Sequence, residues 1–136
     1  RLDAYEKAEQ EEQEMASVRE TDVTVQLTEK SEYTDKYSQY KIDFVFVVTN
    51  NTEKSIKGIQ GIAVFKDLFG KEIIRLGCDF VGNTIEPGAS VTISTLSMDC
   101  NRFADDDMKL YNTALSDLNF EYETTSIVFE DGTTKQ

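Results

Sequence analysis

The 136-residue sequence contains no histidine, no tryptophan, a single proline (Pro87) and only two cysteines (Cys78 and Cys100). Each shortage closes off chemistry. Without an imidazole there is no Ser-His-Asp or Cys-His nucleophilic triad, and no His-ligated zinc or haem centre. Two cysteines cannot build a Cys₄ site. Positive charge is short as well: 14 Lys and Arg face 26 Asp and Glu, a net of −12. A surface of that sign repels nucleic acid and anionic lipid, so no nucleic-acid partner is expected. No run of about 18 apolar residues occurs, so no segment reads as a membrane-spanning helix. No signal peptide is visible. The chain begins at Arg1 rather than Met, so a leader or lipid-attachment site is expected upstream.

What is present divides into two parts. Residues 1–22 hold eight acids against three bases, a net of −5, which leaves −7 for the other 114 residues. Residues 1–20 are rich in Glu, Gln and Ala and hold no Gly or Pro. They read as a helical, acidic linker or tether. Their few apolar residues form no heptad seam, which argues against a coiled coil.

From Thr21 onward the pattern is that of strands. Val23, Val25 and Leu27 alternate with polar residues, while 30–39 reads as a polar loop. Tyr40 to Thr49 is apolar on both faces, the mark of a central strand. Gly58 to Lys66 and Lys71 to Val81 flank the turn Asp67-Leu68-Phe69-Gly70. Glu86-Pro87-Gly88-Ala89 is a turn, and the next strand changes phase near Ser94-Thr95, as a β-bulge would make it do. Residues 104–114 read as a short helix with acids in its first turn. Leu118, Phe120 and Tyr122 alternate, Ile127 and Phe129 follow in the opposite phase, and Asp131-Gly132 signals a final hairpin. Six or seven strands with at most two short helices, none of a length for parallel βαβ units, predict an all-β chain: an antiparallel immunoglobulin-like β-sandwich over 21–136, with a short helical N-terminal extension.

One stretch carries a resemblance. Val48-Thr49-Asn50-Asn51-Thr52, then Phe65-Lys66-Asp67 with Gly70-Lys71, then Glu86-Pro87-Gly88, each at a strand end, resemble the FxLYD-type and related immunoglobulin-like domains of bacterial cell-surface lipoproteins. The match covers about residues 40–93 and consists of turn chemistry and strand patterning. Lys66 stands where that family often has tyrosine, Phe69 occupies a usually polar turn, and 101–116 is longer than the family's connections. The resemblance implies an extracellular, membrane-anchored domain at the cell surface without catalytic residues, attached through segments upstream.

Candidate site residues are few. Folding back about Pro87-Gly88 sets Cys78 opposite roughly residue 97, so a Cys78–Cys100 disulfide is expected, with two free core thiols as the alternative. Asp105, Asp106 and Asp107 form the densest acidic run. They read as helix N-terminal acids, with a weak calcium site as the alternative. Tyr33, Tyr37, Tyr40, Phe69 and Tyr111 fall in or near loops, where they either cover the sandwich ends or anchor a partner; Leu68 with Phe69 makes the best contact candidate, intramolecular or for a partner. A carboxylate acid–base pair has no motif to mark it. The sequence thus predicts a non-enzymatic module with no cofactor, which binds a protein or cell-envelope component or acts as a spacer. The alternative is a small-molecule or calcium-binding module.

Overall fold

A computed structural model describes residues 17–136. The helical extension expected over 1–20 lies outside the described residues up to position 16, and residues 17–20 form bends and turns without helix. The described chain is all-β, with eight strands, one α-helix and one 3₁₀ turn. The strands are β1 (Val23–Thr34), β2 (Tyr40–Asn50), β3 (Ile56–Lys66), β4 (Glu72–Gly77), β5 (Phe80–Ile85), β6 (Ser90–Cys100), β7 (Asn119–Phe129) and β8 (Thr134–Lys135). Helix α1 (Asp105–Asn112) and the 3₁₀ turn Leu115–Asp117 lie between β6 and β7. Among the described residues no helix is long and apolar enough to cross a membrane.

Two antiparallel sheets form. One has the order β1-β2-β6; the other runs β4-β3-β7-β8, with β5 also paired to β3. Strand β2 supplies Ile42, Phe44, Phe46 and Val48 to the core at alternate positions. These meet Ile56, Ile59, Ala63 and Phe65 of β3, Phe80 and Ile85 of β5, and Ile127 and Phe129 of β7. Aromatic rings bridge the sheets: Phe44 to Phe65 at 5.4 Å, Phe46 to Phe80 and Phe46 to Phe120 each at 5.5 Å. Each is in the range of favourable offset or edge contacts.

Irregularities fall where the phase of the sequence changes. Register slips in β6 between Ile93 and Leu96, opposite Phe44–Phe46 of β2, so Ser94-Thr95 is a bulge. In β7 the slip lies between Thr124 and Ser126, opposite Gln60-Gly61, which joins the Tyr122 phase to the Ile127 phase in one strand. A side chain at Gly61 would stand 2.4 Å from the Tyr122 ring. That ring packs across the gap and donates its hydroxyl to the Cys78 carbonyl at 2.6 Å.

Two expectations need correction. Residues 30–34 belong to β1 rather than to a loop, leaving only 35–39 as the β1–β2 turn. Their polarity misleads because pairing with β2 is made by the backbone, and because the Lys30 side chain is fully buried by polar contacts. Its Nζ donates to the carbonyls of Tyr111 (3.2 Å) and Thr113 (2.8 Å) at the end of α1, and pairs with Glu32. The expected return strand 71–81 is also broken at Cys78-Asp79 into β4 and β5, which lie end to end along β3.

The register defines two poles. Val23, Asn50, Ile56, Ile85, Ser90 and Phe129 gather at one, here the asparagine pole. Thr34, Tyr40, Lys66, Glu72, Cys100 and Asn119 gather at the other, here the aromatic pole.

Candidate functional site: the aromatic pole

Three loops converge at the aromatic pole, and each is built on an Asp or Asn that folds its own loop. Asp35 Oδ1 accepts from the N–H groups of Tyr37 (2.8 Å) and Gln39 (3.0 Å). Asp67 Oδ1 accepts from Phe69 and Lys71, both at 2.9 Å. The backbone repeats the match: Asp35 N–H donates to Gln39 O and Asp67 N–H to Lys71 O, while Ser38 and Gly70 donate back to the Asp carbonyls. Both turns place their fourth residue at positive φ, 62° for Ser38 and 80° for Gly70. In the third loop Asn101 Oδ1 accepts from Phe103 N–H at 2.9 Å. The local rule is general: a short polar side chain satisfies N–H groups two and four residues on, which fixes a turn without any core behind it.

Each loop displays an aromatic two residues after its Asp or Asn. Tyr37 is 78% exposed, Phe69 92% and Phe103 81%. Leu68 beside Phe69 is exposed as well. Of the large hydrophobics exposed among the described residues, only Val81 and Val128 lie elsewhere. The turn under Phe69 is tied further. Asn119 Nδ2 donates to Asp67 O at 2.8 Å, and Lys109 of α1 reaches Asp67 Oδ2 at 3.4 Å. The Lys71 amide, with the Phe69 amide and Lys109, holds the Asp67 carboxyl below its ordinary pKa against an opposing desolvation second only to the Lys71 bond.

Charge at this pole is selective. Lys41 bridges Asp99 (3.0 Å) and Asp35 (4.0 Å), one cation shared between two carboxylates. Lys36, Lys71 and Arg102 have no carboxylate partner among the described residues, although the chain is strongly acidic. Instead Lys36 Nζ lies 5.1 Å from the Tyr37 ring centre, and the Arg102 guanidinium 4.9 Å from that of Phe103.

No family model matches the chain. No curated protein matches it either. Among solved structures, one described as the X-ray structure of Northeast Structural Genomics Consortium target SoR45 is similar at 15% identity. The match spans 85% of this chain and 80% of that one, with a TM-score of 0.42.

The residues singled out from sequence are placed as follows. Leu68 and Phe69 stand at the tip of the β3–β4 hairpin, 64% and 92% exposed among the described residues. Tyr40 and Tyr111 instead pack edge-to-face at 5.1 Å under α1, and Tyr33 donates to Asp43 at 3.2 Å. Asp105, Asp106 and Asp107 open α1. Asp107 accepts from Asn101 N–H (2.8 Å) and Asp106 from Asp107 N–H (2.9 Å), so two of the three carboxylates turn onto their own loop. Among the described residues no group of three or more Cys, Asp or Glu is placed to hold a metal ion.

The expected disulfide is not formed: Cys78 and Cys100 are both free thiols. The Pro87-Gly88 turn does not close a hairpin. It carries the chain from β5 in one sheet to β6 in the other. Cys78 does share a small cavity with Leu96, Ser97 and Met98. Cys100 lies three residues beyond Ser97, roughly 10 Å along the strand, which exceeds the reach of a disulfide. Burial, reinforced by Asp79, raises the Cys78 thiol to about 11, and burial raises that of Cys100, so neither is poised as a nucleophile near neutral pH.

Sequence reasoning passed over Ser38, Arg102 and Phe103. A signal for Phe103 was available: Asp35-x-Tyr37, Asp67-x-Phe69 and Asn101-x-Phe103 repeat one pattern of a turn-forming acid or amide two residues before an aromatic.

Proposed function

We propose that this chain is a non-enzymatic extracytoplasmic domain of a bacterial lipoprotein, immunoglobulin-like in kind and related to the FxLYD-type domains. It holds a protein or another cell-envelope component at its aromatic pole. The observation that carries this reading is Phe69, 92% exposed on a turn that Asp67 fixes through two side-chain and two backbone hydrogen bonds. Exposing an aromatic ring on a rigid support is how a docking anchor is pre-organised, because little rotamer or loop entropy remains to be lost on binding. The motif residues behind the resemblance have physical work in this chain. Asn50 ties the β2–β3 turn to β5, and Asp67 builds the hairpin tip.

Two measurements on the full-length protein in its native cells test the reading. It should sediment with membranes and be removed by protease added to intact cells; recovery in the cytosol overturns the localisation. A photo-crosslinking residue at position 69 should capture one envelope component that the same residue at Val81 does not. Equal capture, or none, at the two positions overturns the docking role.

A further inference from the structure

The two Asp-built turns are alike except at their fourth residue. Gly70 adopts positive φ without steric cost, but at the same place in the β1–β2 turn stands Ser38, the single non-glycine residue with positive φ among the described residues. Glycine would fit there with less strain, so the side chain is retained at a cost. Ser38 lines a groove of about 500 Å³ between the β1–β2 turn and the segment leading into α1. Tyr37 and Phe103 also line it, with Asn101 and Arg102 between them. Gln39 locks the two walls together by donating to Cys100 O at 2.7 Å and Tyr40 O at 3.2 Å. The Ser38 hydroxyl and the Arg102 guanidinium make no hydrogen bond within the described residues.

We propose that this groove binds an acidic saccharide, a sugar bearing a carboxylate, as part of the binding role assigned above. Three features select that class. Aromatic and hydrogen-bonding side chains together line an open groove, which suits a ring with C–H faces and hydroxyl edges better than an acyl chain, for which a mainly apolar pocket is the rule. Arg102 offers a planar donor fork with no carboxylate of its own, the group that recognises a carboxylate by paired hydrogen bonds. Segments 35–41 and 99–103, which form the groove's walls, hold three bases (Lys36, Lys41 and Arg102) against two acids (Asp35 and Asp99, the latter lining the groove), so these walls present no net negative charge to an anion. The ligand fills the groove with its ring against Tyr37 and Phe103, its carboxylate on Arg102 and a hydroxyl on Ser38.

The test is a ¹⁵N-NMR titration of residues 17–136 joined to their natural N-terminal segment, with a galacturonate trisaccharide, maltotriose and a glutamate-rich peptide in parallel. The uronate should give saturable shifts confined to Tyr37–Gln39 and Asn101–Phe103, with maltotriose about tenfold weaker. Arg102→Gln should abolish the preference for the uronate over maltotriose. Ser38→Gly should raise the melting temperature yet weaken binding, a pairing that a purely structural role for Ser38 does not produce. Phe69→Ser should leave the titration unchanged, which separates this site from the docking contact. Absence of saturable shifts at millimolar uronate overturns the proposal. So does equal binding of maltotriose, or shifts at these amides with the peptide alone. None of these failures touches the crosslinking result at position 69.

Discussion

At the asparagine pole a turn-forming amide faces inward; at the aromatic pole the turn-forming carboxylates of Asp35 and Asp67 sit in loops that hold their aromatics outward. Asn50 is fully buried, and its side chain is saturated. Its Nδ2 donates to Lys54 O and Ile85 O, both at 2.8 Å, while its Oδ1 accepts from Thr52 N–H at 2.8 Å and Thr52 Oγ1 at 2.6 Å. Its backbone joins the Pro87-Gly88 turn through Ala89 O and Gly88 N–H. Asp22, also buried, caps Arg19 N–H and pairs with Lys135 at 3.2 Å, which pins the incoming chain to the last strand. The same residue chemistry therefore closes one end of the domain and leaves the other end displaying apolar rings. Where a polar turn group is buried, its loss exposes unpaired partners. Where it supports an exposed ring, the ring itself contributes nothing to folding. The contrast separates stability from recognition, and substitutions can test it.

The largest effect belongs to Asn50. Asn50→Ala removes four hydrogen bonds and takes the side-chain partner from the Ile85 carbonyl and from the Thr52 N–H, while Lys54 O keeps the Thr52 hydroxyl. Such loss costs about 1–3 kcal/mol for each stranded group, so a total near 3 kcal/mol is expected in urea denaturation. A loss below about 1 kcal/mol, the ordinary effect of a point change, would place the turn's strength elsewhere.

Next comes Lys30, the buried cation that fastens α1 to β1 beside the aromatic pole. Lys30→Met keeps the stem but strands the Tyr111 and Thr113 carbonyls. Hydrogen bonds to charged groups contribute about 1.5–3 kcal/mol, so a loss of about 2 kcal/mol is expected by the same measurement. Amide exchange should quicken in α1 and not around Asn50. Uniform quickening would show that the helix is not separately fastened.

How far these differences could be read from the chain depends on the range of the interaction. Local signals were readable. Alternation placed β2, the phase reversal placed the bulge at Ser94-Thr95, and turn formers marked Asp67–Gly70 and Asp131-Gly132. Leu68-Phe69 stood out as a contact pair at a hairpin tip, but the sequence alone left open whether that contact is intramolecular or with a partner. What depended on distant partners was not readable. β1 runs on to Thr34 because β2 offers it backbone groups, whatever its side chains. Cys78 and Cys100 seemed poised to bond only while Pro87-Gly88 was read as a hairpin; the crossing between sheets sets the actual offset. Tyr37 and Phe103 are far apart in sequence and meet because Tyr40 pairs with Cys100 in the β2–β6 register. Nothing local announces that groove.

A smaller effect should appear only in acid. At the asparagine pole the Thr133 hydroxyl, then the Thr133 N–H and Lys54, hold the Asp131 carboxyl down to about 2 from its ordinary 3.8. A carboxyl depressed in the folded state stabilises fully above its unfolded value and stops doing so as pH falls through the folded one. Asp131 is exposed, so solvent screens the contribution. The melting temperature should fall between about pH 4 and pH 2, and Asp131→Asn, which keeps the turn acceptor, should shallow that fall. Asp67 shares the direction at the aromatic pole, so Asp67→Asn should shallow it as well. An unchanged acid limb in both variants would remove turn carboxylates from the acid response.

The smallest expected change is the one that decides the comparison. Phe69→Ser deletes the most exposed large apolar side chain among the described residues. The turn survives, because Asp67 accepts from the backbone N–H of residue 69 and not from its ring. A surface substitution of this kind shifts stability by within about 0.5 kcal/mol, and the urea midpoint should stay within error of the parent. If the variant unfolds at clearly lower urea, the ring is covered in solution by the protein itself and the tip is a structural element after all. If stability holds and crosslinking from the neighbouring position 68 disappears with the ring, the residue that folding does not need is the residue that a partner does.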